Sequence, residues 1–80
     1  MKARVHITLK TGVLDPQGKA IGHALNNLGF DSVTNVRAGK LFELDLTATD
    51  VESARAQAED MARKLLANTV IESFKVEIAA

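Results

Sequence analysis

The chain has 80 residues, of which 46% are hydrophobic and 25% charged, and its ten basic side chains balance ten acidic ones. This composition is typical of a globular protein, and the zero net charge argues against nucleic acid or an anionic membrane as the main partner. The sequence contains no cysteine, which excludes disulfides, thiolate metal sites and a thiol nucleophile. We predict a single domain over residues 1–80.

The small size of the chain indicates how it is stabilised. A domain of this length buries only about 60–65% of the surface that its unfolded chain exposes. We therefore expect oligomerisation to supply part of the stability. We find neither a signal peptide nor a long apolar run, and so expect a cytoplasmic protein with no membrane contact.

The first third of the chain predicts a strand, a turn and a helix. Polar and apolar residues alternate through residues 2–10, as in a strand with one buried face. Gly12 permits the turn that follows, and Asp15 and Pro16 fit the N-cap and first position of a helix. Gly29 fits the position just after the end of this helix. Gly18 is unexpected there, because glycine inside a helix costs about 1 kcal/mol relative to alanine. We expect another backbone or a ligand to approach it.

The middle of the chain predicts two strands in a hairpin. Residues 32–38 and 41–47 have strand-like patterns, the first less regular than the second. The run Ala38-Gly39-Lys40 between them is a hairpin turn signal.

The last third predicts a helix and a strand. Thr49 at the N-cap and Glu52 three residues later match a capping box, which opens a helix running to about Leu66. Asn68 fits a left-handed helix end, and residues 70–78 alternate as a final strand.

The element order is therefore βαββαβ, which belongs to the α+β class. Because each helix has one apolar stripe, we expect both helices to cover the same face of one antiparallel four-stranded sheet. Right-handed crossovers favour a two-layer sandwich related to the ferredoxin-like fold, with strand order 4-1-3-2. The outer face of the sheet is mixed, so we expect a second copy to cover it or sheet edges to join between subunits.

Groups able to perform chemistry are sparse. His6 and His23 lie on different elements without metal-ligand spacing, and we interpret them as surface or packing residues. The glycine-rich residues 12–19 lack the spacing and the hydroxyl residue of a phosphate loop. Glu43 and Asp45 fit solvated or cross-strand-paired charges better than catalytic carboxylates. We predict no catalytic, cofactor-binding or metal-binding residues.

Residues 9–21 read L-K-T-G-V-L-D-P-Q-G-K-A-I. This run resembles the signature of the PurS family, the small subunit of phosphoribosylformylglycinamidine (FGAM) synthase. Segments at residues 25–30, 36–40 and 64–72 agree with the same family in the right order. Thr69 departs from the pattern, because proline is expected there after asparagine.

The resemblance implies a role without chemistry of its own. The complete enzyme uses glutamine, ATP and Mg to convert formylglycinamide ribonucleotide into formylglycinamidine ribonucleotide in de novo purine synthesis. The small subunit, a homodimer or homotetramer, is expected to bridge a glutaminase subunit and a large synthase subunit and to assist ammonia transfer. This subunit is expected to bind no cofactor. We predict that its partner contacts include Gly12, Asp15, Pro16, Gly18, Arg37, Gly39 and Lys40.

Two other functions fit the predicted fold. One is an ACT-like regulatory domain, which would bind a small molecule such as an amino acid between protomers. The other is a small enzyme of the acylphosphatase type. That enzyme needs an arginine in a phosphate-cradling loop, and the first loop of this chain has none.

Overall fold

The computed structural model describes residues 1–79. The chain forms a three-stranded antiparallel sheet, one helix packed on that sheet and a second helix set apart from it. The elements are β1 (Lys2–Leu9), α1 (Pro16–Asn27), β2 (Gly39–Asp45), α2 (Val51–Met61) and β3 (Glu72–Ala79). A π-helical turn over Ala62–Leu66 continues α2. The strand order is β2-β1-β3, so β1 is central.

The register places apolar and charged residues on opposite faces of the sheet. Val5 lies opposite Phe42 on β2 and opposite Val76 on β3. Arg4, one residue earlier, lies between Glu43 and Glu77 on the other face. The alternation predicted for these three strands is thereby confirmed.

The core lies between the sheet and α2. Its closely packed members are small or medium-sized, which lets the helix approach the strands: Ala3, Val5, Ile7, Ala58, Ala62, Ala67 and Val76. Arg55 of α2 donates from Nη1 to the carbonyl of Val76, at 3.0 Å, and fixes the helix against β3.

The prediction of a four-stranded sheet was wrong. Residues 33–38 are extended but belong to no strand of the sheet, and the chain runs through Ala38 into β2 without a hairpin turn. The physical reason is that this segment lies on α1, where two glycines leave room for its backbone and Asp15 binds Ala38.

The prediction that both helices cover one face of the sheet was also wrong. The helix α2 packs on β3 and β1, whereas α1 makes little contact with any strand. Within α1 only Gly18 is buried. The chain is correspondingly elongated, with extents of 48 × 26 × 14 Å. A monomer of this length packed to ordinary density would have a radius of gyration of about 12 Å, whereas that of this chain is 15.7 Å.

The helix ends were predicted with mixed success. Asp15 as N-cap, Pro16 at the first helical position and Gly29 just after α1, with φ of 100°, are confirmed. The N-cap of α2 is Asp50 rather than Thr49, since the Asp50 carboxylate accepts from the Ser53 amide at 2.9 Å. Asn68 is not left-handed, because the described residues with positive φ are glycines.

Candidate interaction site at the turn after β1

The carboxylate of Asp15 connects two separate segments of the chain. One oxygen accepts from the Gly18 amide at 2.9 Å, which caps α1, and the other accepts from the Ala38 amide at 2.8 Å. Asp15 is only 5% exposed. The two hydrogen bonds therefore fix the start of α1 to the residues that lead into β2.

Arg37 holds the turn from the other side. Its guanidinium donates to the carbonyl of Val13 at 3.1 Å and to the carbonyl of Lys10 at 3.2 Å. A further bond from the Val13 amide to the Lys10 carbonyl, at 3.1 Å, closes the turn itself. Because one planar side chain reaches two carbonyls, Arg37 fixes the shape of the turn as well as its position.

Two glycines on one face of α1 accommodate the extended segment. A Cβ on Gly18 would collide with the Val36 carbonyl oxygen, and a Cβ on Gly22 would lie 3.6 Å from a Val36 methyl group. The backbone expected to approach Gly18 is thus that of the same chain. We call residues 15–38, comprising α1 and the segment packed on it, the arm.

Gly39 and Lys40 begin β2 beside the turn. A Cβ on Gly39 would lie 2.7 Å from the Ile7 carbonyl oxygen, so a glycine fits the close approach to β1. The Lys40 ammonium lies 3.4 Å from a Glu72 carboxylate oxygen. The Glu72 side chain is only 12% exposed and also accepts from the Asn68 amide, at 2.6 Å.

Hydrogen bonds from backbone amides favour the ionised form of the Asp15 and Glu72 carboxylates. The amides of Gly18 and Ala38 hold the pKa of Asp15 below its ordinary value, against a smaller opposing effect of burial, and Arg37 adds to the lowering. The Asn68 amide, assisted by Lys40, lowers the pKa of Glu72. Both groups are therefore ionised at neutral pH.

The structure gathers the seven predicted contact residues at one end of the sheet. Gly12 has φ of 90°, and the space around its α-carbon is open; Pro16 is exposed at the start of α1. Contact of these seven with a partner protein stays a prediction. Asp15, Gly18, Arg37 and Gly39 also have roles within the chain that explain their identity.

Sequence reasoning missed three participants. Gly22 and Val36 complete the contact between α1 and the extended segment, and Glu72 binds Lys40. The four-residue spacing of Gly18 and Gly22 places both on one face of a helix, so that pair was detectable.

The arm exposes a set of large apolar side chains. Three of them belong to α1 or directly follow it and are exposed: Ile21, Leu28 (73% exposed) and Phe30. Leu14, which lies just before the arm, is exposed as well. In the described part of the chain these residues have no neighbouring element to cover them, which makes the arm a candidate contact surface.

Within residues 1–79, no three His, Asp or Glu side chains are grouped so as to hold a metal ion. The same residues include no helix with the length and hydropathy needed to cross a membrane.

Comparison with known proteins gives one consistent family. The profile of "PurS: Phosphoribosylformylglycinamidine (FGAM) synthase" matches residues 2–80. A Synechocystis protein named phosphoribosylformylglycinamidine synthase subunit PurS is 48% identical over 77 residues, covering 96% of this chain and 77% of the relative. The Bacillus subtilis protein of the same name is 43% identical, covering 96% and 90%.

Solved structures agree with this similarity. Bacillus subtilis PurS has a TM-score of 0.85 and 42% identity, covering 99% of this chain and 98% of that one. A chain in the structure of PurLQS from Thermotoga maritima has a TM-score of 0.87 and 28% identity, covering 95% and 93%.

Proposed function

Since the chain belongs to the PurS family of FGAM synthase subunits, we propose that it is the non-catalytic subunit that bridges the glutaminase and the large synthase subunit. The observation that carries this proposal is the likeness, over 95% of the chain, to a chain in the PurLQS structure. In this role the complex converts formylglycinamide ribonucleotide into formylglycinamidine ribonucleotide, with ATP, Mg and glutamine used by the other subunits.

The arrangement of the turn and the arm supports a docking role. The bonds of Asp15 and Arg37 hold three segments in fixed positions: the turn, the start of α1 and residues 37–38, which lead into β2. A surface held in this way loses little conformational entropy when a partner binds it. Its two carboxylates are paired with backbone amides, and that of Glu72 also with Lys40.

Assistance to ammonia transfer follows from the same role. Ammonia released by one subunit must reach the other without escaping into water, which requires a closed contact between them. We propose that this chain completes that contact. We further propose that it works in the cytoplasm as a homodimer, or as a homotetramer built from such dimers.

Co-sedimentation tests the bridging role. The chain is mixed with purified glutaminase and large synthase subunit in the presence of glutamine, ATP and Mg. We expect all three to sediment as one complex, and the two larger proteins to separate when this chain is omitted. Sedimentation of this chain alone, unaffected by either companion, would refute the proposal.

A further inference from the structure

An open cavity of about 480 Å³ lies beside the turn after β1. Its lining comes from the end of β1, the turn and the extended segment of the arm: Thr8, Leu9, Thr11, Gly12, Asn35 and Arg37. None of these residues is acidic, whereas the arginine, asparagine and threonine side chains can all donate hydrogen bonds. The lining therefore suits an anion.

Arg37 supplies the positive charge of the cavity, and its position is fixed before any ligand binds. Its guanidinium has five N–H groups, of which one on Nη1 and one on Nη2 donate to the carbonyls of Val13 and Lys10. The other three are left for a ligand. Within residues 1–79 the guanidinium forms no ion pair with a carboxylate. A guanidinium held in this way loses little freedom when it binds an oxyanion.

The buried carboxylate of Asp15 does not cancel this charge. Both of its oxygens already accept backbone amides, and it is not part of the cavity lining. The amides of Gly18 and Ala38 lower the pKa of Asp15 more than Arg37 does, so the two charges interact only weakly.

The turn adds neutral donors to the same cavity. The hydroxyl groups of Thr8 and Thr11 belong to its lining. The amides of Thr11 and Gly12 donate no backbone hydrogen bond within the part of the chain that the structure describes, and Gly12 has φ of 90°. Successive amides in a turn that contains a left-handed residue can form a concavity that binds anions.

A phosphate group matches these donors better than a carboxylate does. An arginine fork binds two oxygens of either anion. A carboxylate has no third oxygen, whereas a phosphate monoester has three acceptor oxygens and leaves one for the hydroxyls and amides of the turn. The volume lies within the range of about 300–1,000 Å³ typical of small-molecule sites, so a small organic group fits beside the phosphate.

We propose that this cavity binds a phosphate group, with Arg37 holding two of its oxygens and the donors of Thr11 and Gly12 holding the third. The first loop has no arginine of its own, and the fold supplies one from position 37. The site serves binding alone, because its lining contains no His, Asp or Glu that could act as a general base. This inference goes beyond the bridging role and does not depend on it.

An NMR titration of the full chain, labelled with ¹⁵N, tests the site directly. Inorganic phosphate is added at pH 7 and at constant ionic strength, with sodium chloride as the control. We expect phosphate to produce saturable shifts of the amide signals of Thr11 and Gly12 and of the side-chain Nε–H of Arg37. Sodium chloride is expected to produce none of them.

Two arginine variants remove the same charge at different places. Arg37→Gln is expected to raise the dissociation constant for phosphate about tenfold or more, because it removes a charged donor. Arg63→Gln is the matched control, since Arg63 pairs with Asp60 on α2 and its π-helical continuation, and we expect it to bind phosphate as the unaltered chain does. Thr11→Val keeps both bonds of Arg37 to the turn and is expected to raise the dissociation constant about threefold.

Ribose 5-phosphate distinguishes a phosphate ester from free phosphate. Tighter binding of the ester at the same amides would identify a phosphorylated small molecule as the ligand, and equal or weaker binding would identify inorganic phosphate. Shifts that do not saturate, or equal dissociation constants for Arg37→Gln and Arg63→Gln, would refute the site. Either result would leave the bridging role untouched, because that role is tested with the companion subunits.

Discussion

The carbonyl oxygen of Val36 lies where a side chain on Gly18 would begin. Gly18 therefore allows the extended segment to pack on α1, although glycine lowers the stability of a helix relative to alanine. Gly22, one turn later, faces a Val36 methyl group at ordinary contact distance. Replacement by alanine is therefore expected to destabilise the chain at position 18 but not at position 22.

Gly18→Ala is expected to lower the free energy of unfolding by roughly 1–3 kcal/mol, because the added methyl group overpacks the arm. Gly22→Ala is expected to leave it unchanged or raise it by up to about 1 kcal/mol, because alanine favours the helix. Chemical denaturation of both variants measures the two values. Equal effects at the two positions would show that Val36 does not constrain Gly18.

Asp15 and Asp50 both cap helices, but only Asp15 also binds a distant amide. Serine can keep an N-cap bond but cannot replace both carboxylate oxygens. Asp15→Ser is therefore expected to lower the Tm by about 4–8 °C more than Asp50→Ser does. Thermal unfolding by circular dichroism gives both values. A similar fall for the two variants would mean that the bond to Ala38 contributes nothing.

Stability is expected to decline in acid through the same carboxylates. The folded state lowers the pKa of Asp15 and of Glu72, so their contribution is fully present above the pKa of the unfolded chain. It is lost as the pH falls below about 4, toward the lower folded-state pKa. The Tm measured between pH 3 and 6 should fall less steeply for Asp15→Asn than for the unaltered chain. Parallel curves would contradict the lowered pKa of Asp15.

Arg37→Lys is expected to weaken binding to the companion subunits by about tenfold or more while changing the Tm little. Lysine carries the same charge, but its single ammonium lacks the planar fork that reaches the Lys10 and Val13 carbonyls. Arg63→Lys is the control, because Arg63 pairs with Asp60 at the far end of α2. Titration calorimetry gives the dissociation constants. If the Arg37 variant binds the companion subunits with unchanged affinity, the turn is not part of the interface.

Local signals in the sequence predicted most of the secondary structure. The N-cap at Asp15, the end of α1 at Gly29 and the alternation in β1, β2 and β3 each depend on neighbouring residues, and all were predicted correctly. Asp50 rather than Thr49 caps α2, an error of one residue that arises because both side chains can accept the same kind of bond.

The position of residues 33–38 was not predictable in this way. Residues with a strand-like pattern can pack against a sheet or against a helix. In this chain the segment packs on α1 because Gly18 and Gly22 leave space for it and because the Ala38 amide donates to Asp15. The sequence-based expectation that Gly18 marks a close approach was right, but it could not say which backbone approaches.

A comparison of glutamine with free ammonia as the nitrogen source for FGAM synthesis tests the bridging role most directly. FGAM formation is measured with the glutaminase and large synthase subunits, with and without this chain, and with either glutamine or free ammonia. We predict that glutamine-dependent synthesis requires this chain and that ammonia-dependent synthesis by the large subunit does not. Full glutamine-dependent activity without this chain would contradict the account.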